Sequence, residues 1–172
     1  MPSSAPAGRP LWRSALWLWL GAWIGAMALF GATARAAFRV IPDPAVAGEL
    51  AGTLLKPVLL SGAVSGVALS WLAARLRRGR FTIVFPLVLA AACLINQFGV
   101  TRAVAEIPLT DPGLAPELAA RFAALHRLSV WLFTAVGIGA VVLAAAHAVA
   151  EAREARGSAL TTARKRQPGE KT

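Results

Sequence analysis

The sequence predicts an all-α protein, a bundle of four helices that cross a membrane. Three observations predict it. Hydrophobic residues make up 57% of the 172 and charged residues only 15%, whereas soluble domains carry about a quarter charged residues. Four apolar runs occur, at residues 11–33, 58–74, 81–101 and 130–149, each near the ~20 residues that cover ~30 Å of hydrocarbon. A helix also satisfies its own backbone polar groups, which lipid cannot do for it.

Taken in order, residues 1–10 are rich in Pro, Ser and Ala and read as disordered. The first helix is expected at about 11–34 and carries Gly21-x-x-x-Gly25, a spacing that lets helices approach closely. Its apolar core exceeds the ~7–15 residues of a signal sequence, which favours a retained helix. A signal peptide cut after Ala32-Thr33-Ala34 or Ala34-Arg35-Ala36 is the alternative. Asp43-Pro44 combines a capping side chain with proline at the first helical position, so a second helix is expected at about 45–76. Pro57 should kink or restart it. Gly62-x-x-x-Gly66 lies within it, and the two glycine pairs suggest that the first two spans pack together.

Arg75, Arg77, Arg78 and Arg80 form a short basic turn into the third helix, at about 81–102, which contains Asn96 and Gln97. Asp111-Pro112 is a second capping signal, and the fourth helix is expected at about 116–152. The membrane unit is then 11–150. Residues 151–172 form a basic tail, a short helical extension followed by disorder.

Net charge is +10, but the basic residues flank apolar runs, so they set membrane orientation and no nucleic-acid partner is expected. Twelve of the eighteen Lys/Arg lie in the N-terminus, the 75–80 turn and the tail, with only three acids; the two other connections hold six and five. The positive-inside rule puts both termini in the cytoplasm of a bacterial inner membrane. The expected partners are the lipid bilayer and a membrane protein or a second copy of the chain. The tail would contact anionic lipid. Cys93, alone in an apolar run, reads as a small buried hydrophobe.

The outward connections echo each other. Ile41-Pro42-Asp43-Pro44 precedes Gly48-Glu49-Leu50-Ala51, and Ile107-Pro108 with Asp111-Pro112 precedes Pro116-Glu117-Leu118-Ala119. Two repeated helical hairpins are the architecture this suggests.

Polar side chains inside the spans mark where a site would lie, because an unsatisfied amide in hydrocarbon costs several kcal/mol. Asn96 is fifteen residues into the third span, about 22 Å from its start. His126 and Ser129 enter the fourth span at that level, in a stripe with Phe133, Gly137, Ala140 and Ala144 whose small residues suggest contact with the bundle. A polar pocket of Asn96, Gln97, His126, Ser129 and Ser61 follows, rimmed by Arg35, Arg102 and Glu49. It would bind a small solute or ion. The alternative is that these groups fasten helices to one another in a non-catalytic scaffold.

Metal ligation has a weaker basis. His126 and His147 are about 32 Å apart on one helix and cannot share an ion; Cys93 and Met27 are the other donors. A haem b or copper site using His126 is kept as an alternative. No Ser-His-Asp set, phosphate loop or carboxylate pair is visible, so an enzyme is not favoured. Of the six tryptophans several fall near span ends, where amphipathic rings settle, and His147 reads as interfacial.

Several segments carry a resemblance. Residues 19–22 (WLGA), 38–42 (FRVIP) and 47–55 (AGELAGTLL), Asn96, and Arg121-Phe122 with Leu125-His126 and Ser129 resemble the bacterial branch of the transmembrane-protein-205-like family, a domain of unknown function. The similarity covers residues 11–149. It implies a four-helix integral membrane protein without an assigned activity. Arg127 stands where that family has a small residue. In helix count alone the chain is also similar to copper-resistance-type and haem-binding membrane proteins, a fold-level likeness only.

Overall fold

Lipid as solvent requires each rod to close its own hydrogen bonds, and the chain answers with helices joined by short connections. A computed structural model describes residues 9–107 and 115–166. The 1–8 segment, the Asp111-Pro112 signal and the last six residues of the tail lie outside the described residues. The elements are α1 (Arg9–Val40), α2 (Pro44–Arg75), α3 (Arg80–Leu94), a π-helical segment (Ile95–Val100), α4 (Thr101–Ala105) and α5 (Pro116–Arg166). The α3, π and α4 pieces are continuous and make one rod. All four rods are long and apolar enough to cross a membrane, and the chain is a multi-pass, all-α membrane protein.

Boundaries follow local chemistry. Asp43 caps α2, its carboxylate accepting the Ala45 N–H at 2.8 Å, with Pro44 just inside. α1 runs to Val40, six residues beyond the expected end, which shrinks the connection to residues 41–43. α2 passes through Pro57 as a single helix rather than restarting; the ring sits on an exposed face of the rod. α5 continues to Arg166, well past residue 152, so the described part of the tail is helical.

Packing is centred on α2 and α3. α2 lies against both α1 and α3, and α5 closes the bundle by packing on the third rod and touching α1. Leu16, Leu20, Trp23 and Met27 of α1 meet Leu59, Leu69 and Leu72 of α2, Leu89 and Cys93 of α3, and Val136, Ala140 and Leu143 of α5 in one core. Large side chains such as Leu18, Val64, Val88, Trp131 and Ile138 point outward. That surface would drive aggregation in water but suits hydrocarbon.

The glycine pairs divide. Gly66 lies directly on α3: a Cβ there would sit 2.4 Å from the Pro86 carbonyl oxygen and 2.7 Å from Ala90 Cβ. Gly62 faces the Cys93 sulfur and the Trp23 indole. Gly21 and Gly25, by contrast, face open space. Gly66 therefore serves the α2–α3 contact and Gly62 also takes the Trp23 ring of α1; the first two spans pack together as expected, but not through Gly21 and Gly25. Large side chains of α1 fill that interface instead.

α2 ends in a Schellman turn. Arg77 N–H bonds Ala74 O at 3.0 Å and Arg78 N–H bonds Ala73 O at 2.9 Å. The left-handed position of this motif is ordinarily glycine, but Arg77 occupies it with φ 54°. The turn directs Arg78 into the bundle, while Arg75, Arg77 and Arg80 remain exposed. Beside it, Trp12 and Trp71 meet edge to face at 5.2 Å and the Arg75 guanidinium covers Trp71 at 5.0 Å. Such a belt of amphipathic rings belongs at a membrane interface.

Three stability outcomes follow, all measured by denaturation in detergent micelles. Gly66→Ala should lose about 1–3 kcal/mol, because rigid backbone opposes the new methyl. Gly139→Ala, opposed by the flexible Leu89 side chain, should lose less. Arg77→Gly should leave stability unchanged or raise it by up to about 1 kcal/mol, since it removes left-handed strain.

Candidate functional site

Buried polar groups gather at the two ends of the bundle. At the end bearing the 41–43 and 106–115 connections, the π segment turns two consecutive amides inward: Asn96 is 1% exposed and Gln97 9%. The Thr101 N–H bonds back to Asn96 O, five residues earlier, which widens the turn. Such single-turn insertions occur frequently at functional sites. Asn96 Nδ2 donates to the backbone carbonyl of Ser129 at 3.1 Å and ties the third rod to α5. Asn96 Oδ1, Gln97 Oε1 and the Thr101 hydroxyl are buried and have no hydrogen-bond partner among the described residues.

The other residues expected at this site lie elsewhere. His126 is exposed and stacks on Phe122 of its own helix, centroids 5.9 Å apart. Ser61 is exposed, its hydroxyl donating to Val58 O at 2.9 Å on α2. Arg102 pairs with Glu106 one turn on, at 3.7 Å in solvent. Glu49 is exposed, and Arg35 lines an open recess of about 550 Å³ along the last turns of α1, with Gly31, Ala32, Ala36, Arg39 and Val40. Asn96, Gln97 and the Ser129 backbone are thus brought together; His126, Ser61 and the rim residues are not. Among the described residues no group of three or more His, Cys, Asp or Glu gathers as metal ligands.

The face of α5 explains why His126 stands apart. Leu118, Phe122, Leu125, Ser129, Val136, Ala140, Leu143, His147, Glu151 and Glu154 fall within about 40° of one line at 100° per residue. His126 is about 60° off that line. The expected stripe was chosen by its small residues and is centred about 40° from the face that packs.

The same line leads to a second polar cluster, which the sequence reading missed. Arg78 is buried, its side chain only 1% exposed. Its guanidinium bridges two carboxylates of α5, reaching Glu151 Oε1 at 2.9 Å and Glu154 Oε1 at 3.1 Å. Arg13 of α1 pairs with the other oxygen of Glu154, and Trp17 Nε1 donates to the other oxygen of Glu151 at 3.2 Å. His147, one turn before Glu151, is fully buried, and neither ring nitrogen has a partner among the described residues. The missed signal was the spacing His147, Glu151, Glu154 on the apolar line of α5.

The cluster ties α1, the 76–79 turn and α5 at one point. Compared with known families, curated proteins and solved structures, the chain finds no match.

The cluster should respond asymmetrically to mutation. Glu151 and Glu154 can turn to solvent, being 27% and 40% exposed, whereas Arg78 cannot. Denaturation in micelles should therefore show a loss of about 3–5 kcal/mol for Glu151→Gln with Glu154→Gln, which strands a buried charge. Arg78→Met should cost less than half of that.

Proposed function

We propose that this chain is a non-enzymatic component of a bacterial inner membrane that binds a small cation or hydrogen-bond-donating solute at the Asn96–Gln97 turn. The observation that carries this reading is the set of unpartnered acceptors on the π segment. Two amide oxygens and a hydroxyl in a lipid-embedded bundle are costly when empty. Together they present oxygen ligands, the donor type that hard cations take. Kinship to the transmembrane-protein-205-like family belongs to this reading and rests on the segments that resemble it. Cytoplasmic termini are supported by the twelve basic residues on that side. On that orientation the Asn96 turn lies on the outer-leaflet side. Retention of α1 is supported by the four core side chains it supplies.

A second reading has its own observation. The Asn96 bond to Ser129 O fastens two rods, and such bonds average ~0.6 kcal/mol in membranes. On that reading the chain is a scaffold.

Thermal unfolding of the purified protein in Na⁺, K⁺, NH₄⁺ and choline salts at equal ionic strength separates the two. The solute reading expects one small cation to raise the melting temperature over choline, and Gln97→Leu, which keeps the Asn96 bond, to abolish that rise. Equal melting in all four salts would sink the cation form of the reading. Destabilisation by Asn96→Ala with no cation dependence would favour the scaffold.

A further inference from the structure

The unpartnered groups at the two ends of the bundle differ in kind. Near Asn96 they are acceptors and a hydroxyl. In the Arg78 cluster they are Arg13 Nε, Arg78 Nε and both ring nitrogens of His147. Each guanidinium Nε carries a hydrogen, and a neutral imidazole carries one more. The four oxygens of Glu151 and Glu154 already receive Arg78, Trp17 and Arg13. The cluster thus has spare donors, Arg13 Nε, Arg78 Nε and the His147 ring, that none of these carboxylate oxygens meets.

These donors belong to one assembly. Glu154 joins Arg13 to Arg78, and Glu151 joins Arg78 to the helix turn that bears His147. Cost argues against leaving them unmet, since each buried unsatisfied group loses about 1–3 kcal/mol.

We propose that Arg78, Arg13 and His147 form a buried binding site for one small inorganic anion of halide size, taken up together with a proton on His147. Size follows from closure: His147 is fully buried and the Arg78 side chain is 1% exposed, so only a compact anion fits. Charge demands the proton. The two arginines and two glutamates cancel, so a bare anion would leave one uncompensated charge in a medium of low dielectric. A proton from solvent on His147 cancels it and converts both ring nitrogens to donors. Entry lies along the Arg13–Glu154 pair, whose side chains are 39% and 40% exposed. A bridging water is the competing occupant, because it too would accept from Arg78 Nε and meet His147 without adding charge.

The site is separate from the Asn96 turn and does not depend on the solute reading. Its test uses the full chain in detergent, with sodium bromide or chloride against sodium gluconate at equal ionic strength, at pH 5.5 and pH 8. Halide should raise the melting temperature over gluconate, and its apparent affinity should fall by up to about tenfold per pH unit on the alkaline side, the slope for one coupled proton. His147→Phe should abolish the halide effect, and Arg13→Gln should weaken it. Anomalous diffraction from bromide should place a peak between His147 and Arg78 Nε. Halide and gluconate behaving alike at both pH values overturns the proposal, as does a halide effect untouched by His147→Phe. Should that variant fail to accumulate, the wild-type bromide map decides: water alone at the site refutes an anion.

Discussion

A guanidinium that cannot reach water must be neutralised where it sits, and the rest of this bundle is arranged around that requirement at Arg78. Its partners come from α5, and they in turn engage Arg13 and Trp17 of α1. One buried charge therefore fixes the mutual position of two rods, α1 and α5, and the turn between α2 and α3. Apolar contacts alone would not do this in lipid, where hydrocarbon tails solvate leucine as well as a neighbouring helix does. The network supplies a register that the Leu- and Ala-rich surfaces leave weakly defined. The backbone contributes by holding Arg77 in a left-handed conformation, which swings the next residue inward.

Below this clamp the rods are held by shape. Gly62 and Gly66 bring α2 onto the third rod closely enough that side chains are excluded, and dispersion contacts replace the hydrophobic effect as the attraction. At the far end the Asn96 bond to α5 repeats the principle of the clamp with neutral groups. Polar bonds at both ends and close packing between them make a bundle pinned at its extremities.

Much of this was legible in the sequence because lipid leaves few choices. Span length, the Asp43-Pro44 cap and the depth of Asn96 relative to Ser129 all follow from helical rise and capping chemistry. Less legible was which way a side chain points. Gly137 and Ala144 suggested a face of α5 that Val136, Leu143 and His147 in fact define, so His126 was set inside and falls outside. Gly21-x-x-x-Gly25 had the spacing of a contact but lies on an open face, because Trp23 and Met27 occupy the inward one. Four arginines in the 75–80 turn carried a summed charge that spoke of orientation. Nothing in that run of like residues distinguishes Arg78, since its burial depends on the conformation of Arg77 and on acids more than seventy residues away. The π segment was hidden for a related reason: two adjacent amides facing one way break the periodicity by which a helix is recognised.

α5 has a mechanical consequence. It runs for 51 residues without proline beyond its first position, about 76 Å of unbroken helix, and passes both polar clusters on its way. Between Ser129 and Glu154 its only glycines are Gly137 and Gly139, the latter packed against Leu89, and beyond Glu154 the Gly157-Ser158 pair is its softest step. A push that reaches Glu154 is delivered as leverage, first at the carboxylates gripping Arg78 and then, about 33–38 Å further along, at the carbonyl held by Asn96.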